Sequence, residues 1–137
     1  MAFWLMKSEP FKYAWAQLLK DGRTYWDGVR NHQAANNLKA MRRGDRAFFY
    51  HSNEGLEIVG TCEIVTEAYQ DPTDESGRWV VVDIEPREAL PRPVSLKTIK
   101  ATPELAEMAL VRQSRLSVSP VRDAEWALIC KLGDLGS

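Results

Sequence analysis

The first apolar run, Phe3 to Met6, predicts a strand, which the Lys7-Ser8-Glu9-Pro10 break ends because proline cannot donate to a ladder. Trp15, Leu18 and Leu19 then recur at helical spacing, and Asp21-Gly22 stops that helix. Trp26-Asp27-Gly28 follows neither period and predicts an ordered loop. Asn31 stands where it can cap a second helix, whose Ala34, Leu38 and Met41 share one face before Gly44 ends it. Arg46 to His51 and Leu56 to Val65 predict a hairpin joined by the polar Ser52-Asn53-Glu54-Gly55. From Trp79 to Glu85, Val80, Val82 and Ile84 alternate with their neighbours, predicting a strand that Pro86, Pro91 and Pro93 terminate. The acidic stretch Asp71 to Gly77 ahead of it reads as a flexible loop.

Beyond the prolines, Ser95 can cap a short turn reaching Lys100, and Thr102-Pro103 marks a helix start with Glu104 at its positive end. Arg115 to Val121 predicts a returning strand. Asp123 then caps a last helix, in which Trp126, Ile129 and Cys130 form an inward stripe and Gly133 provides the stop. Strands interspersed with short helices, with no repeating βαβ period, argue for an α+β fold with a curved or barrel-like sheet. A chain of 137 residues, 45% hydrophobic, fits one domain over 1–137.

The N-terminal apolar run is short and lacks a basic leader, so no signal peptide is expected. No run approaches the ~20 apolar residues that span a bilayer, so no membrane partner is expected. Cys62 and Cys130 are far apart, and with only two histidines the ligands for a zinc site are too few. Free, buried thiols point to a reducing, cytoplasmic setting. The net charge of −1 argues against a general polyanion binder, but its distribution is uneven. Five bases lie between Arg30 and Arg46 against Asp45 alone, whereas ten acids face two arginines from Glu54 to Glu88. Such polarity is compatible with one basic face for phosphates and equally with solvated helix and loop surfaces.

Four motifs stand in order along the chain: Trp4-Leu5-Met6-Lys7-Ser8-Glu9-Pro10, Trp26-Asp27-Gly28-Val29-Arg30-Asn31, Phe48-Phe49-Tyr50-His51-Ser52, and Leu110-Val111-Arg112-Gln113-Ser114-Arg115-Leu116-Ser117-Val118. Together they resemble the EVE domain family, nearly end to end. The resemblance implies a PUA-like curved β-barrel flanked by short α-helices, related to the YTH domains that read N6-methyladenosine. It also implies a reader of modified bases, particularly modified cytosines in DNA. The chain departs from the pattern at Asn31-His32-Gln33, since relatives often carry an aromatic residue where His32 stands.

A modified base must leave the stack to be read, and an extruded base is held by stacking while its polar edge is hydrogen-bonded. Trp26 is the leading stacking candidate, because no period explains a large aromatic in that loop; its alternative role is to plug the end of the barrel. Stacking of this kind contributes roughly 1–3 kcal/mol per base. Glu9 can accept from an exocyclic amine, as carboxylates do at cytosine N4, or cap the next helix, and Asp27 is a similar candidate. Ser8 and Lys7 add a hydroxyl and a cation for the base edge and an adjacent phosphate. Strand alternation pairs Tyr50 with Ser52 and turns His51 the other way, leaving His51 the weaker candidate. Trp79 is either a second aromatic wall or an edge cover. Arg30, Arg112 and Arg115 are candidate phosphate contacts, with surface pairing to acids as the alternative. Trp4, Trp15 and Trp126 fall on apolar faces and read as core.

No GxSxG elbow, P-loop, HExxH or deaminase signature is present, so the expectation is a non-catalytic, monomeric module with no cofactor and no metal. Its expected partner is nucleic acid carrying a modified base, with DNA ahead of RNA. An RNA-binding PUA-like module, or a hydrolase built on His51 and Ser52 with Glu9 or Asp27, remains as an alternative.

Overall fold

The computed structural model describes residues 1–135. Six strands, β1 (Phe3–Ser8), β2 (Thr24–Tyr25), β3 (Arg46–His51), β4 (Glu57–Gln70), β5 (Val80–Ser95) and β6 (Val118–Val121), form one sheet in the order β2-β5-β4-β3-β1-β6. Neighbours pair antiparallel, except β1 and β3, which run parallel. The parallel pair requires a long crossover, supplied by α1 (Trp15–Asp21), β2 and α2 (His32–Ala40).

Alternation along the central strands sends side chains into two separate cores. Trp4 and Met6 of β1 and Ala47 and Phe49 of β3 face α1 and α2, where Leu18, Ala34 and Leu38 meet them. Leu5, Phe48 and Tyr50 face the opposite way, toward α3 (Leu96–Lys100), α4 (Ala109–Arg112) and α5 (Asp123–Leu132), which contribute Ile99, Leu110 and Ile129. This explains the unbroken apolar run of β3, since a strand covered on both faces has no polar side. Phe48 and Phe49 are fully buried, each contributing roughly 1.5–3 kcal/mol of hydrophobic transfer. Trp126 stacks on Phe48 at 3.9 Å and on Phe3 at 4.3 Å.

The α+β class stands, but the closed barrel implied by the resemblance does not form among the described residues. The sheet is open, with β2 and β6 at its edges. Helices covering both faces bury the central strands without closure.

The three prolines do not end β5, which continues to Ser95. Pro86 sits at a register shift opposite Cys62, and Pro91 and Pro93 fall between the Gly60↔Ala89 and Ile58↔Val94 pairs, where the ladder skips. Proline is tolerated where no N–H is needed for the ladder. The stretch read as flexible is instead pinned by Asp71, fully buried, and by Asp74, which accepts from the backbone of Ser76, Arg78 and Trp79.

Capping follows the sequence at two helices: Asn31 Oδ1 accepts from Ala34 N at 2.9 Å, and Ser95 Oγ from Thr98 N at 3.1 Å. At α5 the cap residue is Arg122 rather than Asp123, and Glu125 reaches back to accept from Arg122 N at 2.8 Å. The Thr102-Pro103 start opens only a short 3-10 turn, Pro103–Leu105. Cys62 is buried and Cys130 half-buried, both free. No described helix is long and apolar enough to cross a membrane.

The crossover packs closely on the sheet at Gly60, where an added Cβ would lie 2.4 Å from the Trp15 ring. Gly60→Ala should therefore lower the denaturation midpoint by the equivalent of about 1–3 kcal/mol, as other overpacked cores do. A midpoint equal to wild type would show that Trp15 can shift at no cost.

Candidate nucleic-acid interface

Parallel β1 and β3 end side by side, with Ser8 opposite His51 and Ser52 N donating to Ser8 O at 2.9 Å. Beyond Ser8 the chain folds into a compact turn, in which Glu9 O accepts from Lys12 N and Tyr13 N, both at 2.9 Å. Ser8 Oγ donates to Tyr13 O at 2.6 Å, closing that turn. A cavity of about 660 Å³ opens at these two carboxyl ends. It is lined by Lys7, Ser8 and Glu9 after β1, by Trp26, Asp27 and Gly28 after β2, and by Tyr50 and Ser52 at the end of β3. Ser114, Arg115 and Ser117 also line it.

Trp26 is held from both ends of its residue. Its N–H donates to Val82 O at 2.8 Å, continuing β2, and its ring packs edge-on against Phe49 at 5.5 Å. Only 8% of the residue is exposed, so the indole belongs to the core, and the residue also lines the cavity. Gly28, at φ +77°, makes the reversal after it, a conformation that glycine adopts without steric cost. Gly28 N then donates to Asp71 at 3.2 Å, and Arg30 pairs with the same carboxylate oxygen at 3.0 Å. The loop beside the cavity is thus tied to a buried charge.

Lys7 Nζ donates to Ser114 O at 2.8 Å, joining two segments that line the cavity, and burial lowers its pKa. Burial raises the pKa of Tyr50, whose ring lies 6.0 Å from the same ammonium. Glu9 forms an open ion pair with Lys12 at 3.6 Å. Asp27 is exposed and accepts no hydrogen bond among the described residues, leaving its carboxylate available. Arg115 also lines the cavity without a pairing partner among the described residues.

Four sequence candidates lie elsewhere. His51 points away from the cavity, as strand alternation requires, and its Nε2 accepts from Trp15 N at 3.1 Å. That bond needs an unprotonated ring nitrogen, and desolvation lowers the His51 pKa, opposed in part by Glu57. Trp79 packs on His32 at 5.0 Å and lies 5.9 Å from the Arg30 guanidinium. Arg30 is engaged by Asp71, and Arg112 is doubly bonded to Glu107 at 2.6 and 2.9 Å. Arg46 is likewise paired with Glu63 at 3.4 Å, so the basic stretch of sequence is partly neutralised across space.

The cavity also includes residues that sequence patterns did not single out. Tyr13 and Tyr25 belong to short segments with no period, and Leu56 lies at φ +49° in the turn before β4, 43% exposed. Ser114 and Ser117 were visible inside the fourth motif but without a role.

A model of the EVE domain matches residues 2–132. A solved protein from Rhodopseudomonas palustris is 56% identical and superimposes with a TM-score of 0.93, covering 98% of this chain and 94% of its own. Rat thymocyte nuclear protein 1 is 35% identical over 95% of this chain and 73% of its own length. Its human counterpart, solved in complex with DNA containing 5-methylcytosine, is 32% identical with a TM-score of 0.91 and full coverage of both chains. A YTH domain from Zygosaccharomyces rouxii, 18% identical with a TM-score of 0.63 over 96% of this chain and 86% of its own, shares the fold. With a match spanning nearly its whole length, the chain belongs to the EVE domain family.

Proposed function

We propose that this chain is a non-catalytic DNA-binding module that receives a modified cytosine in the cavity at the ends of β1 and β3. The observation that carries this reading is the relative that matches the whole chain and is itself bound to 5-methylcytosine DNA. The cavity volume of about 660 Å³ falls in the range of small-molecule sites, about 300–1,000 Å³, and leaves room for a base with its sugar. A base paired within a duplex exposes only its edges, so entry into such a cavity requires extrusion.

Roles follow from chemistry. Trp26, with Tyr50 and the exposed Tyr25, supplies aromatic and apolar wall, which favours a ring carrying an added methyl group. Glu9 or Asp27 accepts from the N4 amine, a proton pair that thymine lacks. Ser8 and Ser52 complete the polar edge. Lys7 and Arg115 meet the flanking phosphates, which carry affinity but no sequence information.

The test is a titration of the protein with matched duplex and single-stranded DNA and RNA, each bearing cytosine, 5-methylcytosine, 5-hydroxymethylcytosine or N6-methyladenine at one position. DNA with 5-methylcytosine should bind about tenfold tighter than unmodified DNA, equivalent to ~1.4 kcal/mol. Equal affinity for every modification would reduce the site to a phosphate contact, and tighter binding of N6-methyladenine RNA would move the assignment to RNA.

A further inference from the structure

A second, smaller groove of about 320 Å³ adjoins the first, and the two share Ser114 and Arg115. Its other lining residues are Asn31, Gln33, Gln113 and Leu116. Among the described residues, the only charge on this lining is the Arg115 guanidinium. Three of the six side chains are carboxamides, whose paired donors and acceptors match the edge of a base better than they match a phosphate.

The amides come from distant parts of the chain. Gln33 lies in the first turn of α2, and Gln113 follows α4, yet Gln33 Nε2 donates to Gln113 Oε1 at 2.8 Å. That bond uses one donor and one acceptor and leaves the Gln33 carbonyl oxygen and the Gln113 amino group free among the described residues. A free acceptor and a free donor on two bonded amides are the group types with which a glutamine reads adenine N6 and N7, or which a cytosine edge would meet. Holding both amides before binding lowers the rotamer entropy lost on contact. Asn31 accepts from Ala34 N through its Oδ1, which orients its own amino group as a further donor.

We infer that this groove is a subsite for the nucleotide next to the modified base, in which Gln33 and Gln113 select the neighbouring base. The inference rests on the base-reading role of the larger cavity. A phosphodiester on Arg115, the residue common to both spaces, would place one nucleoside in each. The protein would then discriminate the sequence around a modification as well as the modification itself, with separate residues carrying the two selections.

The experiment uses the full chain and a set of DNA oligonucleotides with one 5-methylcytosine, in which the bases immediately 5′ and 3′ are varied through all four. On one side the wild type should prefer one neighbour by about tenfold, the scale of a bidentate amide contact. Gln33 and Gln113 are both exposed, so Gln33→Ala and Gln113→Ala retain the fold, as a thermal melt would verify. Each should reduce the neighbour preference to about twofold or less while leaving the preference for 5-methylcytosine over cytosine unchanged. Wild-type affinity that ignores both neighbours, with the methyl preference intact, would overturn the subsite alone. So would a neighbour preference that survives both variants. Loss of the methyl preference in wild type would remove both readings.

Discussion

Trp26→Ala should cost about 3–5 kcal/mol of folding free energy, seen as a lower urea midpoint at unchanged slope. The ring is nearly sealed in the core between β2 and Phe49, so removing it opens a void that the rigid sheet cannot fill. Against the 5–15 kcal/mol of a typical domain, roughly, this is a large fraction. The alanine variant is therefore a poor test of binding, because its affinity would report partial unfolding. Trp26→Phe keeps an aromatic against Phe49 and should cost about 1–2 kcal/mol, in line with the smaller buried area lost. In that folded background, the affinity ratio between 5-methylcytosine and cytosine DNA should fall toward one. A ratio equal to wild type would assign the indole to packing alone and pass the stacking role to Tyr25 or Tyr50.

The second large effect is expected at Asp71. Its buried carboxylate accepts from Gly28 N at 3.2 Å, Arg30 Nη1 at 3.0 Å, Thr73 N at 2.7 Å and Thr73 Oγ1 at 2.6 Å. Asp71→Ala would leave the Gly28 amide without its acceptor and Arg30 with only the Val29 carbonyl and the Thr73 hydroxyl. Arg30 is 39% exposed, so water can solvate its freed charge, and the cost is that of losing hydrogen bonds to a buried carboxylate, about 1.5–3 kcal/mol. The damage should extend to the cavity, because Asp27 and Gly28 line it and Asp71 holds the loop that carries them.

Asp71 also predicts a pH dependence. Burial alone would raise its pKa, but the hydrogen bonds from Thr73, Arg30 and Gly28 hold it below the usual carboxylate range. A depressed folded pKa means that the stabilisation is complete above the unfolded value, about pH 4, and is lost as pH falls through the folded value. Wild-type unfolding free energy should therefore drop on acidification below about pH 4, and Asp71→Asn should lack this share of the drop. Parallel curves for the two proteins would place the acid sensitivity at other carboxylates.

Periodicity located most elements because local propensity and burial agree there. Trp15 and Leu18 are buried on α1, and the Arg46 to His51 and Leu56 to Val65 runs pair as a hairpin, with β4 running on to Gln70. Reading β5 as ended by Pro86 failed for a nonlocal reason, since a proline is unfavourable only if its missing N–H faces a partner. Whether it does depends on the register with β4, which skips at these positions. β2, two residues long, has too little pattern to be seen and exists because Trp26 and its neighbours meet β5.

The candidate site divides along the same line. Alternation along β3 was enough to separate Tyr50 and Ser52 from His51, because side-chain direction in a strand is a property of neighbours. The availability of a charge is not such a property. Arg30, Arg112 and Arg115 look alike as residues, yet Asp71 engages the first and Glu107 the second, while Arg115 stands at the junction of two cavities.

From the chain of residues alone come the α+β class, the positions of most helices and strands, the caps at Asn31 and Ser95, and the four motifs of the family. Tertiary structure decided that the sheet stays open under two layers of helices, that Asp71 anchors the Trp26 loop, and which side chains share a cavity. The reason is range: hydrophobic period and capping act over a few residues, whereas a cavity and a buried ion pair are made by groups 40 or more positions apart, whose meeting depends on register and topology.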